Sequence, residues 1–323
     1  VTPGVALNDD ILQSKSNNFL ASVWIGKQVN GGAFLGVSTG EFLVSQGDKS
    51  YIDKLLQNFH PSELLIAKHQ KKEFAADFHC FYLEDWVFKE DYAQQLLTKH
   101  FQTNSLKGFG VEELTDALLS AGAILYYLSE TQHHQLQHIT RIQRIAEEAY
   151  VWLDKFTIRN LELYTGSSAQ SVSLLDVIDK TLSPMGSRTL KRWLALPLKK
   201  IEKIRQRHEV VAYFLKQLPE LESIKEHIAR IGDIERLISK VATQKINPRE
   251  VVQLCSSLEH IPQIKQLCLT SGNESLSLLG DKLHDCQQLC ARIRETLNEE
   301  APVNIAKGNA IAAGYSAELD ELR

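Results

Sequence analysis

Three carboxylates, Glu41, Asp48 and Glu63, stand beside apolar and β-branched runs early in this 323-residue sequence. Carboxylates gathered at strand ends can hold two divalent metal ions that clamp the attacking and leaving oxygens of a phosphodiester. That chemistry wants one acid on the first strand, and the run FLASVWI, residues 19–25, carries none. The three acids are therefore expected as solvated groups at strand ends and turns, with a metal-dependent nuclease kept as an alternative. His134 and His138 stand four apart, with His133 adjacent, a spacing that puts two imidazoles on one helix face. Their Gln- and Thr-rich surroundings read instead as a solvated linker. Cys286 and Cys290 share that spacing without a second ligand pair, so buried packing is expected of them. The five cysteines are odd in number and unpatterned, as reduced thiols are. Neither G-x-x-x-x-G-K-[ST] nor G-x-G-x-x-G occurs. No catalytic, cofactor-binding or metal residue is nominated.

One strongly basic stretch remains. Between Met185 and Arg207 there are eight Lys or Arg against one acid, Glu202. Within it, Arg188, Lys191 and Arg192 could touch DNA phosphates from the outer face of a short helix opened by Pro184 and Gly186. Leu190, Trp193 and Leu194 are expected to anchor the opposite face in a core. GDIERLISKV, residues 232–241, places Asp233, Glu235 and Arg236 at a helix start, where they complement the dipole or pair locally.

The elements that must position these residues fall into two kinds. Strand signals at 19–25, GGAFLGVS and GEFLVSQG precede a helix over 50–59 capped by Ser50. ELLIAK (63–68) reads as a strand, KKEFAADF as a short helix and CFYLED as another strand. Helices follow over 90–101 and 112–130. The order β-β-β-α-β-α-β suggests an α/β domain with a ribonuclease-H-like mixed sheet and flanking helices. From about residue 139 the pattern turns all-α, with long helices over 200–218, 220–245, 249–270 and 274–298. Residues 1–133 hold ten Lys, no Arg and sixteen acids, whereas all thirteen arginines lie at or after Arg141. This composition step predicts a boundary near 133–140, dividing the chain into 1–133, 134–298 and a final 299–323. No apolar run reaches the length of a membrane span and no signal peptide is legible, so a cytoplasmic location is expected. The chain opens on Val and closes on a helical AELDELR, which suggests a piece of a longer protein.

The stretch DKFTIRNLELYTGSSAQSVSLLDVIDKTLSPMGSRTLKRWLALPLKKIEKIRQRHEVV, residues 154–211, resembles the core of MutS-type DNA mismatch repair proteins. VTPGV resembles the end of that family's mismatch-binding domain, and NNFLASVW with GVSTGEF its connector, a ribonuclease-H-like fold without catalytic acids. GDIERLISKV followed by NPREVVQL resembles the helical lever, and residues 299–323 the start of the DNA clamp. The resemblance implies a connector (1–133) and a core and lever (134–298) that couple mismatch binding to an ATPase and to a MutL-type partner. Gln94 and Gln95, on the outer face of the 90–101 helix, are the implied partner contact. It further implies that this piece is not itself an enzyme and carries no cofactor, ATP and magnesium belonging to the full-length parent. Mismatched double-stranded DNA is the implied ligand of a homodimeric parent, with no membrane involved and this piece alone a monomer. The alternatives are a ribonuclease-H-like nuclease and a helical protein-binding adaptor. Phe88-Lys89-Glu90 has the form of the family's mismatch reader but not its sequence context, and is read as coincidence.

Overall fold

The computed structural model describes Gly4 and residues 14–73, 78–131, 136–164 and 171–323. The chain forms two compact units, Val1–Lys180 with Ser187–Lys199, and Thr181–Gly186 with Lys200–Arg323.

The first unit is built on a six-stranded mixed sheet in the order β5-β4-β1-β2-β3-β6. Strands β1 (Phe19–Ile25), β2 (Asn30–Gly36) and β3 (Glu41–Gly47) form an antiparallel meander. β4 (Glu63–Ala67) and β5 (Cys80–Leu83) extend it in parallel beyond β1. β6 (Gln143–Arg144) pairs parallel with β3. Strands covered on both faces lose polar alternation and become nearly continuous apolar runs, which is why 19–25 and 63–67 read as they do. One face, through Phe19, Ala21, Val23, Phe34 and Leu64, packs on Ile52, Leu55, Leu56 and Phe59 of helix α1 (Lys49–Phe59). The other, through Leu20, Ala33, Leu35 and Leu65, packs on α2 (Glu90–His100) and α3 (Thr115–Glu130). Each fully buried Leu, Ile or Phe contributes roughly 1.5–3 kcal/mol of transfer free energy. The cap of α1 is Asp48, whose Oδ1 accepts from Tyr51 N at 2.7 Å, and not Ser50, which lies inside the helix. Of the expected helix at 71–78, residues 74–77 lie outside the described residues.

The composition step at 133–140 falls inside this unit and is not where the packing divides. Leu136, Ile139 and Ile142 join the α3 core, and Ile145 the α1 core. Charge is a property of the surface; apolar burial fixes which residues move together. His138, expected in a solvated linker, is instead largely buried, with Nε2 2.7 Å from Val37 O. His100 Nε2 lies 2.9 Å from Ile139 O. Burial holds both rings below the ordinary histidine pKa, and the His100 charge depresses His138 further. The unfolded chain therefore takes up protons before the folded one, so this stability is complete above the unfolded pKa. It is lost as pH falls through the folded values. Denaturation followed by tryptophan fluorescence is expected to weaken from pH 7.5 to 5.5, by at most about 1.4 kcal/mol per pH unit for each histidine. All four tryptophans, Trp24, Trp86, Trp152 and Trp193, belong to this unit. A double His100→Gln, His138→Gln variant should flatten the slope; an unchanged slope would assign it elsewhere.

Short helices α4 (Lys155–Asn160) and α5 (Leu174–Ile178) follow, the latter opened by a reciprocal capping box of Ser173 and Asp176. Helix α6 (Pro184–Ala195) contains the division between the units. Its buried residues are Ser187, Arg188 and Ala195, whereas the expected anchor Trp193 is 44 % exposed and Leu190 and Leu194 are half-buried.

The second unit is all helix: α7 (Ile201–Lys216), α8 (Leu218–Ala229), α9 (Ile234–Ala242), α10 (Pro248–Leu258), α11 (Ile261–Thr270), α12 (Glu274–Asp281), α13 (Gln287–Thr296) and α14 (Ala317–Glu321). Three of the long helices expected from periodicity are each cut in two. Gly232 precedes the Asp233 cap of α9, and Pro262 cannot sit inside a continuing helix. The third cut is at 282–286, where Asp285 Oδ1 accepts from Gln287 N at 2.9 Å. Asn247 and Glu250 form the capping box of α10, with Pro248 at its first turn. Cys255 of α10 and Cys290 of α13 are buried against each other, each thiol facing the other's carbonyl at 3.6 and 3.8 Å. Burial pushes the Cys255 thiol up to about 12 and raises Cys290 as well, so both pack as inert small hydrophobes. The same helices are joined at their rim by Arg294, which grips Glu259 through two bonds of 2.9 and 2.7 Å. Arg294→Met is expected to cost about 1 kcal/mol by chemical denaturation, because the pair is bidentate yet partly exposed.

Candidate functional site

Arg188, Lys191 and Arg192 fall at i, i+3 and i+4 on α6, so one helical face carries all three. The structure brings them together, but not as a solvated fringe. Arg188 is only 4 % exposed and donates from Nη1 to Ser14 O at 2.9 Å. Arg192 pairs through Nη1 with Glu41, whose other oxygen accepts from Asn17 Nδ2 at 3.0 Å. Lys191 stands over the Tyr164 ring, 5.9 Å from its centre, and burial pushes its ammonium below the ordinary lysine value. Among the described residues no carboxylate lies within ion-pair distance of it. The three side chains line one concavity of ≈ 40 Å³ together with Asn17, Phe19, Asn58 and Phe59. Asn58 is 6 % exposed, and neither its Nδ2 nor its Oδ1 finds a partner among the described residues.

A second surface lies on the outer side of α2. Gln94 and Gln95 are both exposed, and Gln94 borders a concavity of ≈ 170 Å³ with Glu90 and Glu112 at its polar side and Leu106, Leu118 and Leu119 at its apolar side. Nearby, Trp86, Tyr92 and Tyr126 meet edge to face at 5.1, 5.2 and 6.2 Å. Trp86 is 44 % exposed. Glu130 raises the pKa of both tyrosines after burial, and Glu84 that of Tyr126, which places the cluster in an acidic field. Sequence reasoning missed this triad. Its members come from the turn before α2, from α2 and from the far end of α3, and only the packing of the two helices unites them.

The three carboxylates do not converge. Glu41 is spent on Arg192 and Asn17, and Asp48 on the α1 cap. Glu63, expected in solvent, has no exposure at all; its oxygens accept from Tyr127 Oη at 2.7 Å and Gly4 N at 3.2 Å. The start of β4 is covered by α3, which alternation within five residues could not reveal. Among the described residues no group of three His, Cys, Asp or Glu could hold a metal ion. His133 and His134 lie outside them. Cys286 caps α13 half-exposed while Cys290 is buried, so the pair does not present one face. Phe88 is buried and stacks on Trp24 at 5.2 Å, away from any role as a reader of bases.

Two domain families match the chain in order: MutS domain II over residues 18–140 and MutS domain III over residues 156–322. The chain belongs to the MutS family. It is 61 % identical over its whole length to the DNA mismatch repair protein MutS of Flavobacterium psychrophilum, 63 % to that of Flavobacterium johnsoniae and 60 % to that of Christiangramia forsetii. It spans 38 % of the length of each of these relatives. In MutS terms, the sheet from β1 to β5 with α1 to α3 is domain II, and α4 to α14 lie in domain III. β6, Ile142 and Ile145 occupy the join between the two matches, where β6 pairs with β3, Ile142 packs in the α3 core and Ile145 in the α1 core. Among the described residues no helix is long and apolar enough to cross a membrane.

Proposed function

We propose that this chain is the connector and lever portion of a DNA mismatch sensor, in which residues 1–133 link mismatch reading to the helices of 134–298 and residues 299–323 begin the clamp. The observation that carries the reading is the ordered match of domains II and III across nearly all of the chain, at 60 % or more identity to mismatch repair proteins. The meander of β1 to β3 followed by parallel β4 and β5, with helices on both faces, supports a ribonuclease-H-like connector. The engagement of Glu41, Asp48 and Glu63 in structural bonds supports a connector that does no metal-dependent cleavage. The separate helices of the second unit, α9, α10 and α12 among them capped by Asp233, Asn247 and Asn273, support a lever that moves as packed rigid pieces between discrete arrangements. In the whole protein the reading includes ATP with magnesium, a homodimer, mismatched duplex DNA, a MutL-type partner and a cytoplasmic location. No residue of this chain is assigned to the nucleotide.

Gln94 and Gln95 form the partner contact in this reading, and the exposed Trp86, with the half-buried Tyr92 and Tyr126 against it, supplies the aromatic anchor such contacts use. Trp86→Ala is expected to weaken binding of the partner at least tenfold in a pull-down titrated by concentration, with Gln94→Ala milder. Equal affinity for both variants and the parent would place the contact elsewhere. Of the three basic residues, Lys191 supports a DNA-phosphate role best, since Arg188 and Arg192 already bond within the fold. The purified chain is expected to show no ATP turnover and no preference between mismatched and matched duplex. Measurable turnover, or a reproducible tenfold mismatch preference, overturns the division of labour.

A further inference from the structure

The concavity under α6 brings a buried amide, Asn58, with no partner among the described residues, beside three lining cations. We propose that it binds a small tetrahedral oxyanion of the phosphate class, held by the Asn58 amide and the Lys191 ammonium, with Arg188 and Arg192 supplying the surrounding field. Its ≈ 40 Å³ is room for about three waters at roughly 10–15 Å³ each, or for the oxygens of one such anion. A primary amide with both polar atoms buried costs stability unless something satisfies it, and Nδ2 can donate to an anion oxygen. Lys191 is half-buried, depressed by burial, and without a carboxylate within ion-pair distance among the described residues. An anion is what would return that ammonium toward its ordinary value.

Opposing charges face the site as well. Glu41 pairs with Arg192, and the C-terminal end of α1, where Asn58 sits, carries about half a negative charge. The lining itself holds three cations and no carboxylate, and of the three only the Lys191 side chain has, among the described residues, neither a carboxylate within ion-pair distance nor a hydrogen bond within the fold. The competing occupant is water, which could satisfy Asn58 without any charge recognition.

The proposal shares residues with the DNA-phosphate reading but does not rest on it. The test uses the purified chain with inorganic phosphate, read by calorimetry and by thermal shift, with chloride at matched ionic strength as reference. The parent chain is expected to bind phosphate saturably. Asn58→Leu and Lys191→Met are each expected to weaken that binding at least tenfold. Asn58→Leu removes two polar atoms that have no partner among the described residues, so it is expected to fold at least as stably as the parent, and its loss of binding then reports on the site. A 20-base-pair matched duplex added to the phosphate-bound chain separates the sources: competition assigns the oxyanion to a nucleic-acid backbone, and none assigns it to free phosphate. Absence of mismatch preference in the same chain would leave this result untouched, so the two readings fail separately. No phosphate response beyond that of chloride, or undiminished binding by Asn58→Leu, overturns the proposal in favour of water alone.

Discussion

Gly31→Ala is expected to destabilise the first unit by at least about 3 kcal/mol, at or beyond the upper end of ordinary overpacking. Gly31 lies in β2 where the first turn of α3 presses onto the sheet. A Cβ there would stand 2.0 Å from both the carbon and the oxygen of the Asp116 carbonyl group and 2.3 Å from Ala117 N. These are backbone atoms, so no side-chain rotation can relieve the clash. The helix is also tied to the sheet at that point, since Ser120 Oγ donates to Gly31 O at 3.0 Å and Asp116 N donates to Oε1 of Gln46, the β3 neighbour of Gly31, at 3.0 Å. Relief therefore requires α3 to lift from the sheet, which opens the core around Ala117, Ala121 and Ile124. Gly108→Ala is the matched control, because nothing lies within 4 Å of its added carbon. It is expected to change stability by less than about 0.5 kcal/mol. Urea denaturation read by tryptophan fluorescence compares the two; equal midpoints would remove the packing argument at Gly31.

Tyr127→Phe is expected to cost about 2–4 kcal/mol, more than an ordinary hydrogen bond, because it leaves Glu63 buried with a lost donor. The phenol donates to Glu63 Oε1 at 2.7 Å across the α3–β4 packing, where neither residue meets solvent. Glu63→Leu removes the demanding group itself, so it is expected to be milder than Tyr127→Phe. The double variant should recover part of the loss. That ordering is the signature of an uncompensated buried carboxyl, and a cycle of the four proteins in urea measures it. A Tyr127→Phe midpoint within experimental error of the parent would show that other donors satisfy the site. If Glu63 instead served a bound metal, magnesium would raise the parent's midpoint and not that of Glu63→Leu.

Much of the fold was legible in local sequence. The strands at 19–25, 41–47 and 63–67 and the helices near 49–59, 90–100 and 115–130 fall where apolar spacing and flanking turn residues place them. So do the Asp233 and Asn247 helix starts, because a cap acts within three residues of itself. β6 was not legible: two residues, Gln143 and Arg144, carry no strand pattern and are strands only because Val44 stands beside them. The breaks within the later helices were legible in part, at Pro262 and Gly232, and were overridden by a periodicity that runs through them.

The candidate sites divide along the same line. Sequence by itself determined the MutS resemblance, the absence of a carboxylate on β1 and the i, i+3, i+4 placement of Arg188, Lys191 and Arg192, all of which are properties of order and spacing along the chain. Only the tertiary structure decided that Arg188 is buried on Ser14, that Arg192 is paired with Glu41, that Glu63 lies beneath Tyr127 and that Asn58, lining one concavity with Lys191, has no partner among the described residues. Each of those contacts joins residues more than sixty positions apart, or, for Asn58, depends on which distant side chains failed to arrive. A residue's chemistry is written in its type, but its protonation, its partners and its access to solvent are set by neighbours that the linear order does not specify.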